Sequence, residues 1–172
     1  MRIRRLESAD DLRGVERVNV LAWREAYRGL VPDAVLDRRD PDTSDVPDDA
    51  LAERLAELTD TDGAFFVARE DDVVGYAFVR WGETKSFVDE YEAGLKELYV
   101  HPERWSEGIG TKLLDACLDA IPAEYRRIKL EMLAGNELAQ SFYTSRGFER
   151  TGSRRAEFGG ETLETAIYER DL

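Results

Sequence analysis

The chain has 172 residues, a formal net charge of −13 and 42% hydrophobic residues. A chain of this length can bury most of its apolar surface in one domain, so we expect residues 1–172 to form a single domain. No segment reaches the length of about 20 apolar residues that crosses a bilayer, which argues against a membrane protein. The strong negative charge argues against a protein that binds nucleic acid through phosphate contacts.

The excess of negative charge is concentrated in loops such as residues 37–49, and only four of the 24 basic residues are lysines. Like charges at this density repel one another unless salt screens them. We therefore hypothesise an acidic, halophile-like surface adapted to a salty cytoplasm, with an ordinary acidic protein as the alternative. The first residues alternate like a strand and lack an apolar signal segment, so a cytoplasmic location is expected.

The first half of the chain is predicted to contain a strand, two helices and three further strands. Ser8 caps the first helix, with Asp11 three residues later, and apolar residues then recur at helical spacing as far as Ala26. After this helix, the polarity pattern predicts a short helix near residues 48–58 and strands over residues 64–69, 73–81 and 94–100.

The second half alternates strands and helices. A helix with a buried face runs from Ile109 to Pro122, and its lone Cys117 is assigned to the core. A strand over residues 127–133, a helix opened by Asn136 and two strands over residues 148–153 and 162–169, flanking a turn at Gly159-Gly160, complete the chain. The order β-α-α-β-β-β-α-β-α-β-β indicates an α/β fold around a mixed sheet.

The clearest chemical signal is a strand, a proline-marked loop, a Gly-x-Gly turn and a helix within residues 98–114. A helix N-terminus presents unpaired N–H groups and the positive end of a dipole, and glycines let a phosphate approach them. We predict that the turn around Gly108 and Gly110 binds an anion through its main chain, with Arg104 and Lys112 as helpers.

Other interpretations of this turn are a dinucleotide-binding fold, a kinase-type phosphate loop and a turn without a ligand. In the first, Glu131 would bind a ribose, but Leu113 occupies the third glycine position and the motif does not open the first strand–helix–strand unit. The second needs a Gly-Lys-Ser/Thr sequence that does not follow. The third is the ordinary use of glycine in a turn.

The turn resembles the cofactor signature of the GNAT superfamily of N-acetyltransferases. That signature, Gln or Arg, two variable residues, Gly, one residue, then Gly or Ala, aligns with residues 105–110, although Trp105 and Ser106 depart from the usual residues. Residues 136–149 are similar to the second cofactor segment of the family, and residues 23–32 to a recurring opening. The resemblance implies a mixed, mostly antiparallel sheet of six to seven strands with about four helices.

The resemblance also implies a reaction: acetyl-CoA donates an acetyl group to a primary amine, a small molecule or a peptide, by direct attack in a ternary complex without a metal. A homodimer is implied in the same way. Tyr143 would protonate the leaving thiolate, and Trp23 and Tyr27 would line the acceptor pocket; packing roles are the alternatives. The implied cofactor-binding residues are Leu98, Val100, Trp105, Ser106, Glu107, Gly108, Ile109, Gly110, Thr111, Lys112, Asn136 and Tyr143.

The sequence leaves the identity of the general base undecided. Family members often have a glutamate at the position that aligns with Gly94. Glu92 and Glu97 are its neighbours and either could act as the base, with Glu97 as the candidate and a solvated surface carboxylate as the alternative. The missing glutamate favours a second hypothesis, a non-catalytic acyl-CoA-binding or sensor module on the same fold.

Asn136 could bind the cofactor or cap its helix. His101 is assigned to a turn.

The charge hypothesis predicts that stability depends strongly on salt. Raising KCl from low to molar concentration should raise the thermal midpoint of unfolding, because screening weakens the repulsion between surface carboxylates. Circular dichroism melts across a salt series measure this, and a midpoint that is indifferent to salt would contradict the hypothesis.

Overall fold

The computed structural model describes residues 1–82, 85–158 and 160–172. Within them, seven strands and five α-helices follow one another, with a short 3₁₀ helix at Pro102–Arg104. The elements are β1 Arg2–Arg5, α1 Ala9–Ala26, α2 Asp33–Leu36, α3 Asp48–Thr59, β2 Gly63–Arg69, β3 Val73–Arg80, β4 Glu92–Val100, α4 Ile109–Ala120, β5 Arg127–Leu133, α5 Glu137–Thr144, β6 Glu149–Phe158 and β7 Glu161–Asp171.

The strands form one sheet in the order β1-β2-β3-β4-β5-β7-β6. Only β4 and β5 are parallel, and every other neighbouring pair is antiparallel. This confirms the predicted mixed, mostly antiparallel sheet. A doubly wound dinucleotide fold requires a mostly parallel sheet, so the topology excludes that interpretation of the glycine turn.

Several predicted boundaries differ from those observed. Helix α2 is a single turn after Pro32 that the sequence pattern did not indicate. Strand β6 continues to Phe158, because its residues pair with β7 as far as Glu161. The predicted turn at Gly159-Gly160 includes a residue outside the described ranges.

The sheet has a hydrophobic core on each face. On one face, α4 packs against the central strands, and Leu113, Leu114 and Cys117 are buried there. Burial raises the pKa of Cys117 to about 12, so this thiol is neutral at physiological pH. The other face carries α1 and α3. None of the helices in the described part of the chain has both the length and the apolar composition that a membrane crossing requires.

A buried carboxylate ties the N-terminal elements together. Asp11, near the start of α1, is fully buried, and the Arg4 guanidinium donates to both of its oxygens at 2.7 Å. Arg69 from β2 donates to it at 2.9 Å. Burial alone would raise the pKa of Asp11, but the hydrogen bonds from Arg4, the Glu7 amide and Arg69 outweigh burial and lower it.

Asp11→Asn should lower the free energy of unfolding at pH 7 by about 3 kcal/mol, because two guanidiniums lose their buried partner. A lowered folded-state pKa stabilises the fold above the unfolded-state value of about 3.9, and this stabilisation is lost as pH falls through the folded-state value. Urea unfolding from pH 7 downwards should therefore show the gap between the two proteins closing in acid. Asp10→Asn, at an exposed partner of Arg69, is the control, with a change of about 0.5 kcal/mol or less.

Candidate active site

The candidate site lies where β4 and β5 separate. The two strands pair at three positions only, from Glu92 with Arg127 to Gly94 with Lys129. Beyond Gly94, β4 keeps its pairing with β3, while β5 pairs with β7 over its whole length. A gap therefore opens between two strands of a continuous sheet.

A β-bulge at Lys96 decides which side chains face the gap. Val79 is opposite Leu95 and Phe78 is opposite Glu97, so Lys96 is an extra residue in the ladder. An extra residue reverses the alternation of side chains along a strand. Glu97 therefore lies on the α1 face of the sheet, beside Tyr76, instead of continuing the alternation set by Leu95.

The main chain of β4 faces the gap at Leu98 and Val100. The His101 N–H donates to the Val74 carbonyl at 2.9 Å, and hydrogen-bonded pairs alternate along an antiparallel ladder. The polar groups of Leu98 and Val100 therefore point away from β3. One of them is already engaged, because the Trp105 indole N–H donates to the Val100 carbonyl at 2.8 Å. The Leu98 groups and the Val100 N–H are the ones that face the gap.

The turn before α4 has the geometry of an anion-binding loop. Ser106 and Gly108 have φ values of 69° and 78°, in the left-handed region. Gly108 is the N-cap of α4, makes no side-chain capping hydrogen bond, and is followed by a first turn without an acidic residue. The N–H groups of this turn therefore carry the positive end of the helix dipole without a capping side chain. Ser106 thus has a backbone conformation that glycine adopts without steric cost.

Trp105 and Arg104 hold the turn by contacts within the protein. The Trp105 hydrogen bond to Val100 ties the turn to the end of β4. Arg104 donates to Glu107 at 2.8 Å and to both oxygens of Glu70 at 3.0 and 3.1 Å. Arg104 is thus paired with two carboxylates, and its predicted help to an anion would require breaking those ion pairs.

Helix α5 borders the other side of the gap. The Asn136 side chain accepts a hydrogen bond from the Ala139 N–H at 3.1 Å, so its oxygen caps the helix. Tyr143 is buried, with Phe142 and Phe148 in edge contact with its ring. Burial raises the pKa of Tyr143 above its usual range, so the hydroxyl is protonated at neutral pH. Within the described residues this hydroxyl makes no hydrogen bond, so water or a ligand can supply its partner.

Arg146, which the sequence patterns did not single out, joins α5 to the turn. Its guanidinium lies 3.8 Å from the centroid of the Phe142 ring and donates to the Thr111 hydroxyl. Its Nε is buried without a hydrogen-bond partner in the described part of the chain. A cation four residues after Phe142, just past the end of α5, was the available sequence signal, but its contact with Thr111 depends on the packing of α5 against α4.

Trp23 and Tyr27 meet at one side chain of β4. Their rings pack edge to face with centroids 4.8 Å apart. The Trp23 indole donates to the Tyr99 hydroxyl at 3.0 Å, and the Tyr27 and Tyr99 hydroxyls lie 3.2 Å apart. Burial raises the pKa of both tyrosines, so both hydroxyls are neutral. These three side chains pack α1 against the sheet beside Glu97.

The gap and its surroundings form a cavity of about 570 Å³. Glu107, Lys112 and Trp23 do not line it, and Lys112 is exposed. Arg146 is an additional lining residue. The predicted site residues that the structure brings together around the cavity are Tyr27, Glu97, Leu98, Val100, Trp105, Ser106, Gly108, Ile109, Gly110, Thr111, Asn136 and Tyr143.

A family model described as the acetyltransferase (GNAT) family matches residues 20–148. An uncharacterized protein of Mycobacterium leprae (strain TN) is 39% identical over 100 residues, which are 57% of this chain. The chain spans only about a quarter of that relative, since the match covers 26% of its length.

Solved structures share the fold over the whole chain. The PaiA N-acetyltransferase from Thermoplasma acidophilum, in complex with coenzyme A, has a TM-score of 0.73 at 22% identity, covering 99% of this chain and 98% of that one. The ribosomal-protein-alanine N-acetyltransferase from Brucella melitensis has a TM-score of 0.66 at 20% identity, covering 100% of both chains. A phosphinothricin acetyltransferase from Sinorhizobium meliloti, in complex with AcCoA, has a TM-score of 0.65 at 22% identity, covering 99% and 88%.

Proposed function

The chain belongs to the GNAT acetyltransferase family, and we propose that it transfers an acetyl group from acetyl-CoA to a primary amine by direct attack in a ternary complex. One observation carries the proposal: the uncapped turn before α4 opens onto the cavity between β4 and β5. The acceptor is a small molecule or a peptide, and the setting is the cytoplasm. Family resemblance alone supports a homodimer.

The residues around the turn fit a diphosphate and the chain attached to it. Main-chain N–H groups from Ser106 to Thr111 suit the diphosphate, because they need no cationic side chain. The free polar groups of Leu98 suit the amides of the pantetheine arm, in the manner of an added strand. The Arg146 guanidinium, which lines the cavity beside Thr111, suits a phosphate oxygen.

Gly110 packs closely against two residues that line the cavity, Leu98 and Phe142. A Cβ built on Gly110 would lie 3.2 Å from the Phe142 ring and 3.6 Å from Leu98. A larger side chain at this position would therefore displace Phe142 and Leu98 and change the shape of the cavity. Glycine lets α4 pack this closely against them.

Acetyl-CoA, when bound, supplies a thioester acetyl group and a thiolate leaving group. Tyr143 is suited to protonate that thiolate, since burial keeps its hydroxyl neutral and no described residue accepts its proton. Glu97 is suited to accept the amine proton, directly or through water. Glu97 is one of the residues that line the cavity, and the Tyr76 hydroxyl positions its carboxylate by donating to Oε2 at 2.7 Å.

Two solved relatives are described as complexes with coenzyme A or AcCoA, which supports a CoA-type donor for this chain. The second candidate function is a non-catalytic acyl-CoA-binding or sensor module. It is favoured by Gly94, which is buried between β3 and β5 and offers no carboxylate. Acetyl transfer to amines separates the two candidates, because a sensor binds acetyl-CoA without turnover.

Gly110→Val should weaken CoA binding by about ten- to a hundredfold, because the added side chain would displace Phe142 and Leu98, which line the cavity. Isothermal titration calorimetry measures this. Gly152→Val, in β6 and away from the cavity, is the control and should bind CoA as the wild type does. Unchanged CoA affinity in a folded Gly110→Val protein would contradict the assigned cofactor site.

Tyr143→Phe should lower kcat by about a hundredfold or more, the usual size of a general acid contribution, while CoA affinity stays within about threefold. Acetyl-CoA consumption with a panel of primary amines measures this. Tyr168→Phe, at another core tyrosine, is the control and should retain activity. If Tyr143→Phe retains full kcat with amines that the wild type acetylates, Tyr143 is not the proton donor. Absence of turnover by the wild type with every amine, despite normal acetyl-CoA binding, would favour the sensor function.

A further inference from the structure

A second cavity of about 320 Å³ lies between α1, α3 and the face of the sheet that carries Tyr76. It does not include the turn before α4 or any residue of α5. Glu97 and Tyr99 line both cavities. A molecule in the second cavity would therefore reach the candidate base from the side opposite the cofactor groove.

At the inner end of the second cavity lies the Glu97 carboxylate, which is positioned by a series of hydrogen bonds. The Arg39 guanidinium donates to the Asn19 side-chain oxygen at 2.5 Å, and the Asn19 amide donates to the Tyr76 hydroxyl at 2.5 Å. The Tyr76 hydroxyl donates to Glu97 Oε2 at 2.7 Å. Every donor in this series of hydrogen bonds is directed toward Glu97, which stabilises its carboxylate as an acceptor. Among the described residues none donates to Oε1, which is left for another donor.

The outer end of the second cavity is cationic. Arg39 and Arg54 both contact Glu16, at 3.0 and 2.9 Å. Two guanidiniums share one carboxylate, so the side chains that line this end of the cavity carry one excess positive charge, although Asp37 and Asp40 flank Arg39 in the acidic loop. Arg54 makes no other polar contact within the described residues, so its remaining N–H groups are available to a ligand.

The cations of the outer end are held in place by other residues. Arg24 donates to the backbone carbonyls of Leu36 and Arg39, at 3.4 and 2.5 Å, and so anchors the segment that carries Arg39. Arg54 is on α3, which packs against α1. The outer end is therefore built on anchored elements before any ligand arrives.

We propose that the second cavity binds the acceptor, and that the acceptor is an amine that also bears a carboxylate, an amino carboxylic acid. This inference rests on the proposed acetyl transfer. The amine lies against Glu97 and the carboxylate against Arg54 and Arg39, so each end of the cavity meets a group of opposite charge. Guanidinium groups match the planar geometry of a carboxylate, which favours it over a neutral polar group.

In the transfer, the ammonium first gives a proton to Glu97, because only the neutral amine has an electron pair to share, and Glu97 passes that proton to solvent. The amine nitrogen then bonds to the acetyl carbon, and the carbon–sulfur bond breaks with its electron pair going to sulfur. Tyr143 supplies the proton that sulfur takes up. The second amine proton passes through solvent to replace the one that Tyr143 gives. The products are an N-acetylated amino acid and free CoA, so no other reactant is needed.

The test compares amines with and without a carboxylate. Glycine, 3-aminopropanoate, 4-aminobutanoate, 5-aminopentanoate and the α-amino acids are each paired with the amine that lacks the carboxylate, and kcat/KM is measured with acetyl-CoA. For at least one pair, the wild type should favour the amino acid by about tenfold or more. Arg54→Gln should remove about ten- to a hundredfold of kcat/KM for that amino acid, the range for a lost charge-assisted hydrogen bond, and leave the matched amine unchanged.

Arg28→Gln is the matched control, because Arg28 is exposed and pairs only with Glu25 among the described side chains. It should leave both values of kcat/KM unchanged. An equal loss for amino acid and matched amine in Arg54→Gln, or no preference for the amino acid in the wild type, would overturn the inference while acetyl transfer stands. Failure of every amine despite normal acetyl-CoA binding would overturn the proposed transfer itself, and this inference with it.

Discussion

The site depends on an interrupted hydrogen-bond ladder: β4 and β5 pair at three positions and then separate. A strand that loses its neighbour retains its N–H and C=O groups, and each such group left buried without a partner costs about 1–3 kcal/mol. The gap must therefore hold water or a ligand with polar groups along its length. Because β4 leads into the turn before α4, the same interruption that opens the groove also directs it toward the helix N-terminus.

The bulge at Lys96 lets one strand serve both faces of the sheet. After the bulge, Leu98 and Val100 pack with the core on the α4 side, while Glu97 and Tyr99 face α1. Without the extra residue, Glu97 would lie on the α4 side and would not reach Tyr76. Because of this single inserted residue, the main chain of β4 at Leu98 and Val100 borders the cofactor groove, while the Glu97 carboxylate borders the second cavity.

Net charge and local charge differ in this protein. A chain with a net charge of −13 repels polyanions at long range, but a helix N-terminus and its N–H groups act within a few ångströms. The first turn of α4 contains no acidic residue, and the nearby carboxylates of Glu70 and Glu107 are paired with Arg104. Arg146 adds a cation at Thr111. The site is therefore locally positive on an acidic molecule.

The sequence by itself determined the features that depend on neighbouring residues. Ser8 and Asn136 mark helix starts, because each side chain accepts a hydrogen bond from the N–H group three residues later. The glycine turn indicated a family that the match over residues 20–148 confirms. Only the tertiary structure decided the bulge at Lys96, the pairing of Arg104 with Glu70 and the contact of Arg146 with Thr111. Those features depend on register and on contacts between residues such as Arg146 and Thr111, which are far apart in the chain, so no local pattern of polarity or spacing encodes them.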